Sequence, residues 1–495
     1  MDIKQIIKNL FSKGPSFVFK AYKKRRLARR RSHEFFCEVS KAEHLVKLFQ
    51  SAKQSSTQDA NSEIKAEICT EINSKISELM SFSEGKDECK VLAQLILRCL
   101  NIGIRLELED IETKPYIRTL KEFAITQLIP ETYERYRKHA IDPKKLIFLQ
   151  PRKGLNQSFA YIFNTLKKDL SYDTELICLH YGEVSHSEYF HNALNFVEDL
   201  ATAKALFLHE SNILLGHTEI REETKVIQLW HGCGIFKKLG LSLIPKSRRK
   251  APKYPHTQYT YVTTASPEVT WVFEEFMGIE KNSDIIQPIG VARTDVFFDE
   301  NYIKKAYSKL YKKVPQAKDK KVILYAPTYR GIHAERVVPN QIDIDFLASK
   351  LGDNYILIFK HHQTAKDVQE IPNRHKNNFA FDLTRGAGIN INELMAVSDI
   401  MITDYSSVAF EYSLFERPML FFAYDLDEYL DERGLYYDFD EITPGPIAKT
   451  NEEIIAHIKS LEQHFDKQEV IDFREKFMSA CDGNSTKRTI ELIKR

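Results

Sequence analysis

Four segments of this chain end a short apolar run in residues able to bind an anion or move a proton. Lys225 to Gly232, KVIQLWHG, delivers the imidazole of His231 straight after a β-rich stretch. Lys321 to Gly331, KVILYAPTYRG, delivers Thr328 and Arg330, and Tyr355 to Gln363, YILIFKHHQ, delivers Lys360, His361 and His362. Asp399 to Ser407 ends in Thr403-Asp404-Tyr405-Ser406-Ser407, and a helix-compatible segment follows at once. An imidazole, with an unperturbed pKa of ~6.5, accepts a proton near neutral pH. A guanidinium presents a planar fork to phosphate, and a helix start presents uncommitted N–H groups at the positive end of its dipole. Together these segments describe an anion-binding cleft that holds a candidate base. Each also has a plainer reading. His231 can simply donate to a backbone carbonyl, Arg330 can sit in a salt bridge, and Ser406 can cap a helix.

The elements that must position these residues alternate from Lys145 onward. Leu146–Leu149, Leu176–Leu179, Ala205–Leu208 and Val226–Leu229 are short buried runs separated mostly by amphipathic stretches, and Tyr259–Thr264 reads as a further strand. That alternation predicts a parallel sheet with crossover helices. A second α/β unit begins at Val322, and Asp399–Thr403, the helix after Ser407 and Met419–Ala423 form a strand–turn–helix–strand unit within it. In open sheets of this kind ligands bind outside the carboxyl ends of the strands, where all four segments deliver their side chains. The polar, basic stretch from Val296 to Lys321 reads as the inter-domain connection, and the final helices, from Asn451 to Arg495, are expected to pack back across the first α/β unit. Residues 33 to about 140 read as helical, with apolar positions three and four apart in Glu43–Phe49, Ile64–Met80 and Val91–Leu100, and with Ser51–Asn61 as a loop. The resulting division is residues 1–140 helical, 141–310 a first and 311–495 a second Rossmann-type domain.

The motifs resemble those of the CDP-glycerol glycerophosphotransferase family, the teichoic-acid primases and polymerases. The resemblance rests on Gln228-Leu229-Trp230-His231-Gly232 with Lys237-Lys238, Ile323 to Arg330, Lys360-x-His362, Thr403 to Ser407, Arg417 to Phe421, and Tyr424 to Tyr429 running into Phe439 and Pro444-Gly445-Pro446. It covers roughly Lys144 to the C-terminus and keeps the family's order. It implies an α/β, GT-B-like pair of doubly wound domains, the second binding the donor. It implies an enzyme that moves glycerol phosphate or ribitol phosphate from a CDP-polyol to a hydroxyl of a growing teichoic-acid-like or capsular polymer and releases CMP. The acceptor oxygen would attack the β-phosphorus, with His231 as base and His362 as its catalytic companion. Thr328, Arg330, Lys360, Asp404, Ser406, Ser407 and Glu411 would hold the donor, Glu411 at the nucleotide ribose. Lys237, Lys238 and Arg293 would meet acceptor or phosphate. No metal or other cofactor beyond the CDP-glycerol or CDP-ribitol substrate is expected, and Asp425-Leu426-Asp427 is not read as a metal motif. Asp295 fits a turn better than an acid catalyst. The chain departs from the family where Cys233-Gly234 replace Thr-Pro and where Gly290-Val291-Ala292-Arg293 replaces Gly-x-Pro-Arg; both departures are expected on the acceptor side.

Composition excludes several other classes. The 495 residues carry a formal net charge of +2 and 43% hydrophobic residues, as ordinary globular chains do. Seven scattered cysteines without a CxxC argue for reduced thiols, against a disulfide scaffold or a zinc site. No run reaches the ~18–20 apolar residues of a membrane span. Residues 1–31 hold eleven Lys or Arg and one acid, with Ile3, Ile6, Ile7, Leu10 and Phe11 at helical spacing. A basic amphipathic end suits an anionic membrane surface, which predicts a peripheral protein of the cytoplasmic face. A solvated tail is the alternative, and nothing elsewhere supports a nucleic-acid partner. The basic segment Lys246–Lys253 is a candidate guide for an anionic polymer acceptor, lipid-linked or free. Two rival functions remain: a GT-B glycosyltransferase using a nucleotide sugar, and a non-catalytic, membrane-docked polymer-binding module.

Overall fold

The computed structural model describes residues 34–52, 60–82, 86–102, 104, 106, 122, 124–169, 171–179, 184, 186–245, 255–330, 337–338, 340–362 and 368–495. The basic N-terminal segment, most of the Ser51–Asn61 loop and all of Lys246–Lys253 lie outside them. Two parallel sheets organise the rest. The first contains β1 (Asp142–Gln150), β2 (Asp173–Cys178), β3 (Ala203–Leu208), β4 (Lys225–Gln228), β5 (Tyr261–Thr263) and β6 (Ile286–Gln287), in the order β2-β1-β3-β4-β5-β6. The second contains β7 (Lys321–Tyr325), β8 (Tyr355–Phe359), β9 (Ala380–Asp382), β10 (Ile400–Thr403), β11 (Met419–Phe422) and β12 (Ile447–Ala448), in the order β12-β11-β10-β7-β8-β9. Strands such as YILIF of β8 are apolar throughout because helices cover both faces of a parallel sheet. Strand order reverses between β1 and β3 in the first sheet, and between β7 and β10 in the second. Crevices open at such reversals, and the loops after β7 and β10 carry Thr328 to Arg330 and Asp404 to Ser407.

The helical region has its own core. Phe35, Val39, Ile72, Ile76, Leu92 and Ile96 pack together, and Phe190 on helix His186–Leu200 of the first α/β domain joins them. The apolar faces of these helices are covered mainly by one another, and Phe190 adds the contact to that domain.

Two stretches differ in detail from the sequence reading. The stretch Val296–Lys321, which links the first sheet to the second, is largely helix, Glu300–Lys313, capped by the Asp299 carboxylate at the N–H groups of Asn301 and Tyr302. Its many lysines hide a narrow buried face of Ala306 and Leu310. The C-terminal helices divide between the domains. Helix Asn451–His464 stays in the second, where Ile454, Ile455 and Ile458 join the core around β7, β8 and β11. The chain then returns to the first domain, where Leu492 and Ile493 pack with Leu146, Phe148 and Phe159. Buried Asp295 anchors that return by accepting the backbone N–H groups of Ser485 (3.1 Å) and Thr486 (2.6 Å), which fixes its structural role.

The domains meet along the loop that follows β4. Lys238 N–H donates to the Gly434 carbonyl (3.0 Å) and Tyr436 N–H to the Phe236 carbonyl (2.8 Å), a short antiparallel ladder across the interface. Beside it Gly234 lies flat on the Phe410 ring, so that a Cβ there would stand 2.2 Å from a ring carbon. Phe410 is itself wedged against Phe236, Phe473 and Phe477 and has little room to yield. Gly234→Ala is therefore expected to destabilise the protein by about 1–3 kcal/mol, the cost of overpacking. Adding Phe410→Leu should recover part of that loss in urea unfolding. An unchanged midpoint in the single variant would show that this contact does not hold the domains together.

Candidate active site

His231 is held from three sides. The preceding residue, Trp230, has φ of 57°, a conformation uncommon for a large side chain and one that needs support from its surroundings. The Gln228 side chain supplies part of it by accepting the Trp230 N–H at 2.9 Å. The indole stacks on the imidazole with centroids 4.5 Å apart, and Phe276 backs the indole. The imidazole Nδ1 lies 3.0 Å from the carbonyl oxygen of His209. A carbonyl can only accept, so Nδ1 carries the proton and Nε2 keeps its lone pair. His231 is exposed, as befits a residue lining a cleft. The protein packed around the cleft still removes part of its water and lowers its pKa below the ordinary histidine value, against the opposing effect of the bond to His209. Neutral imidazole with a free Nε2 is the form a general base requires. The His209 carbonyl and the Gln228 amide give no signal in sequence, because the contacts are to backbone.

The cations around the second-domain crevice are largely spoken for. Arg330 donates through Nε and Nη2 to both oxygens of Asp425 (2.6 and 2.9 Å), and through Nη1 to Asp404 (2.9 Å) and the Thr328 carbonyl (2.7 Å). Its guanidinium also lies 5.1 Å from the ring centres of Tyr405 and Tyr429. Two carboxylates thus occupy the fork that is expected to meet donor phosphate. Asp404 accepts the Thr328 N–H at 2.8 Å as well as the Arg330 guanidinium, contacts by which it would orient the turn, the alternative to touching substrate that the sequence also allows. Burial pushes its pKa up and the Arg330 charge works against that. Lys360 donates to the carbonyls of Leu383 (2.6 Å), Ile389 (2.9 Å) and Thr384 (3.3 Å), which makes it a peg for the 383–389 loop. Desolvation lowers its pKa.

Arg293 and Glu411 are partners of each other. Glu411, fully buried on helix Val408–Tyr412, pairs with Arg293 from the first domain, and Arg293 also donates to the His231 carbonyl at 3.0 Å. Neither side chain stands open to a ribose or an acceptor phosphate in this arrangement.

The residues brought together at the cleft are fewer. Ser407, at the start of helix Val408–Tyr412, makes no side-chain capping bond, so the plain capping role is not its use. Its hydroxyl approaches Gly232, next to His231: a Cβ on that glycine would lie 3.5 Å from it. Ser406 precedes it in the same half-buried turn. The Lys237 ammonium stands 5.7 Å from the Tyr329 ring centre, and exposed His362 packs edge-on to the same ring at 5.2 Å. His361 points the other way and is buried, with its pKa pushed down to about 4 by burial. Lys238 runs along Gly434, away from this group. Tyr329 and Asp425 were not singled out as site residues, although both lie inside motifs quoted above. A separate groove of about 770 Å³, lined by Asp440, Glu441, His457, His464 and Phe473 among others, contains none of the cleft residues.

Residues 131–495 match the model of the family described as CDP-Glycerol:Poly(glycerophosphate) glycerophosphotransferase. The chain is 33% identical over 389 residues to the teichoic acid poly(ribitol-phosphate) polymerase of Bacillus spizizenii, a match covering 77% of this chain and 60% of that protein. It is 33% identical over 349 residues to the teichoic acid ribitol-phosphate primase of the same species, covering 68% of this chain and 87% of the relative. The solved wall teichoic acid polymerase TagF superposes with a TM-score of 0.58 at 24% identity over 77% of this chain and 96% of that one, which establishes the GT-B-like fold.

The committed state of Arg330 makes a sharp prediction. Arg330→Lys keeps a charge but loses the fork, leaving Asp404 and Asp425 short of partners. Stability should fall by about 3 kcal/mol, as when one partner of a buried ion pair is removed. Retained stability together with a selective loss of donor affinity would return Arg330 to the donor site.

Proposed function

The chain belongs to the CDP-glycerol:poly(glycerophosphate) glycerophosphotransferase family, and from that premise we propose that it transfers a polyol phosphate from a CDP-polyol to a hydroxyl of a teichoic-acid-like or capsular polymer. The observation that carries this reading is the His231 geometry, a base with a fixed tautomer beside an uncapped turn. His231 Nε2 takes the proton of the acceptor hydroxyl as that oxygen attacks the β-phosphorus. The phosphorus–oxygen bond to CMP breaks, and CMP leaves with the electron pair. The Ser406-Ser407 turn, Lys237 and His362 face the developing negative charge, and Arg330 and Asp404 keep that turn in shape. The reading needs no resident metal. The acceptor is a lipid-linked or polymeric polyol phosphate chain, and the protein works peripherally at the cytoplasmic face of the membrane, with the basic N-terminal segment on anionic lipid. No helix among the described residues is long and apolar enough to cross a membrane.

The test is CMP release from CDP-glycerol and CDP-ribitol with a lipid-linked or polymer acceptor. Turnover of at least one donor, absent with UDP- or GDP-sugars, and a fall of about 10²–10⁴-fold in His231→Ala are the expected results. Release from nucleotide sugars in place of CDP-polyols would support the glycosyltransferase reading.

Acidity supplies a second check. The base acts when neutral, so the rate rises with pH through the His231 pKa and levels off above it. Because burial lowers that pKa, the acid limb of kcat/KM should lie below the ~6.5 of an unperturbed imidazole. An acid limb centred above pH 7 would assign the base to another group.

A further inference from the structure

We propose that Arg293 and Glu411 form a strut between the two domains that positions His231, so that both act on the transfer through His231 and neither is a ligand of donor or acceptor. The inference rests on the reading of His231 as the base. Arg293 donates from one terminal nitrogen to the His231 carbonyl at 3.0 Å and from the other to Glu411 Oε1. The Arg293 side chain is 12% exposed and that of Glu411 0%. The second oxygen of Glu411 is buried without a hydrogen-bond partner. A ribose hydroxyl would reach it only after the domains had parted.

Both ends of the strut are themselves fixed. Arg293 lies in the 3₁₀ segment Ala292–Phe298, whose Asp295 anchors the returning C-terminal chain. Glu411 lies on the short helix that opens with Ser407. The strut therefore ties the backbone of the base in one domain to the turn facing the donor in the other. The neighbouring φ of 57° at Trp230 gives it something to hold, because a strained backbone persists only where its surroundings fix it. Separation of the domains would release the His231 carbonyl, and the base would be in place only when they are closed.

The test uses a unique step in the sequence. His231-Gly232 is the only His-Gly pair in the chain, so 13C-carbonyl histidine with 15N-glycine gives one cross-peak that reports the His231 carbonyl directly. Glu411→Gln does not touch that carbonyl, yet it should shift the peak by loosening Arg293. In the same variant kcat should fall about 10–100-fold, in the range expected for a base misplaced by an ångström, with the Kd for CMP within about twofold of wild type. Arg293→Lys should behave alike. The paired replacement Arg293→Met with Glu411→Met, which leaves no lone buried charge, should lose no more activity than either single variant. An unmoved peak in Glu411→Gln would overturn the strut, as would losses that multiply in the double variant. So would a tenfold weaker CMP affinity with unchanged kcat, which would make Glu411 a nucleotide ligand. If the wild type turns over neither CDP-polyol, the transfer reading fails, while the cross-peak still decides whether Glu411 governs the His231 carbonyl.

Discussion

A guanidinium and a carboxylate buried between two domains constrain almost everything else in this molecule. Neither Arg293 nor Glu411 can lose its partner cheaply, because an unpaired ion in that environment faces a desolvation penalty of several kcal/mol. The pair therefore favours closed domains. Closure in turn requires the loop after β4 to lie flat against the second domain, which only a glycine at position 234 allows, given the Phe410 ring beneath it. His231 stands in that same loop, two residues from Trp230's neighbour Leu229 at the end of the buried run. Its place between the domains follows from the fit of the loop as much as from its own contacts.

A second consequence concerns how the site handles negative charge. Arg330, Lys360 and Arg293 point at carboxylates and carbonyls of the protein itself. Their use is to hold loops. Arg330 lies beside the stacked Tyr405 and Tyr429 rings, and Tyr405 donates to Asp425 at 3.0 Å, so the turn that continues into Ser406 and Ser407 is braced by an ion pair and by stacked rings. Preorganised donors stabilise developing charge without having to move during the reaction. Rigid N–H and hydroxyl groups with a few outer cations, Lys237 among them, meet that requirement better than mobile arginines.

Much of the fold could be read from sequence because buried parallel strands announce themselves. Runs such as VILY and YILIF are too apolar and too short for anything else, and the residues after them mark the crevice. The short strands β6, β9 and β12 carry two or three residues each and have no such signature. Helix Glu300–Lys313 escaped for the opposite reason: its lysines outnumber the two residues it buries. Roles within the site were harder still. A cation awaiting phosphate and a cation paired with a distant carboxylate look identical in one dimension, and the deciding partners lie 95 residues from Arg330 and 118 from Arg293. Lys360 was less accessible again, since its partners are backbone carbonyls that any residue would supply.

The departures from the family pattern take on a different meaning in three dimensions. Cys233 and Gly234 stand where Thr-Pro is usual, and Ala292 stands where proline is usual, and both changes were expected on the acceptor side. Cys233 and Ala292 are buried, the first in the core that spans both domains and the second against Leu492 and Ile493 of the returning C-terminal chain. Gly234 is covered by Phe410. A proline at 234 could not share that space with a phenylalanine at 410, whereas a glycine requires something large to fill the gap it leaves. Gly234 meets the second domain through Phe410, so its presence bears on how the domains pack, whereas Ala292 belongs to the core of the first domain.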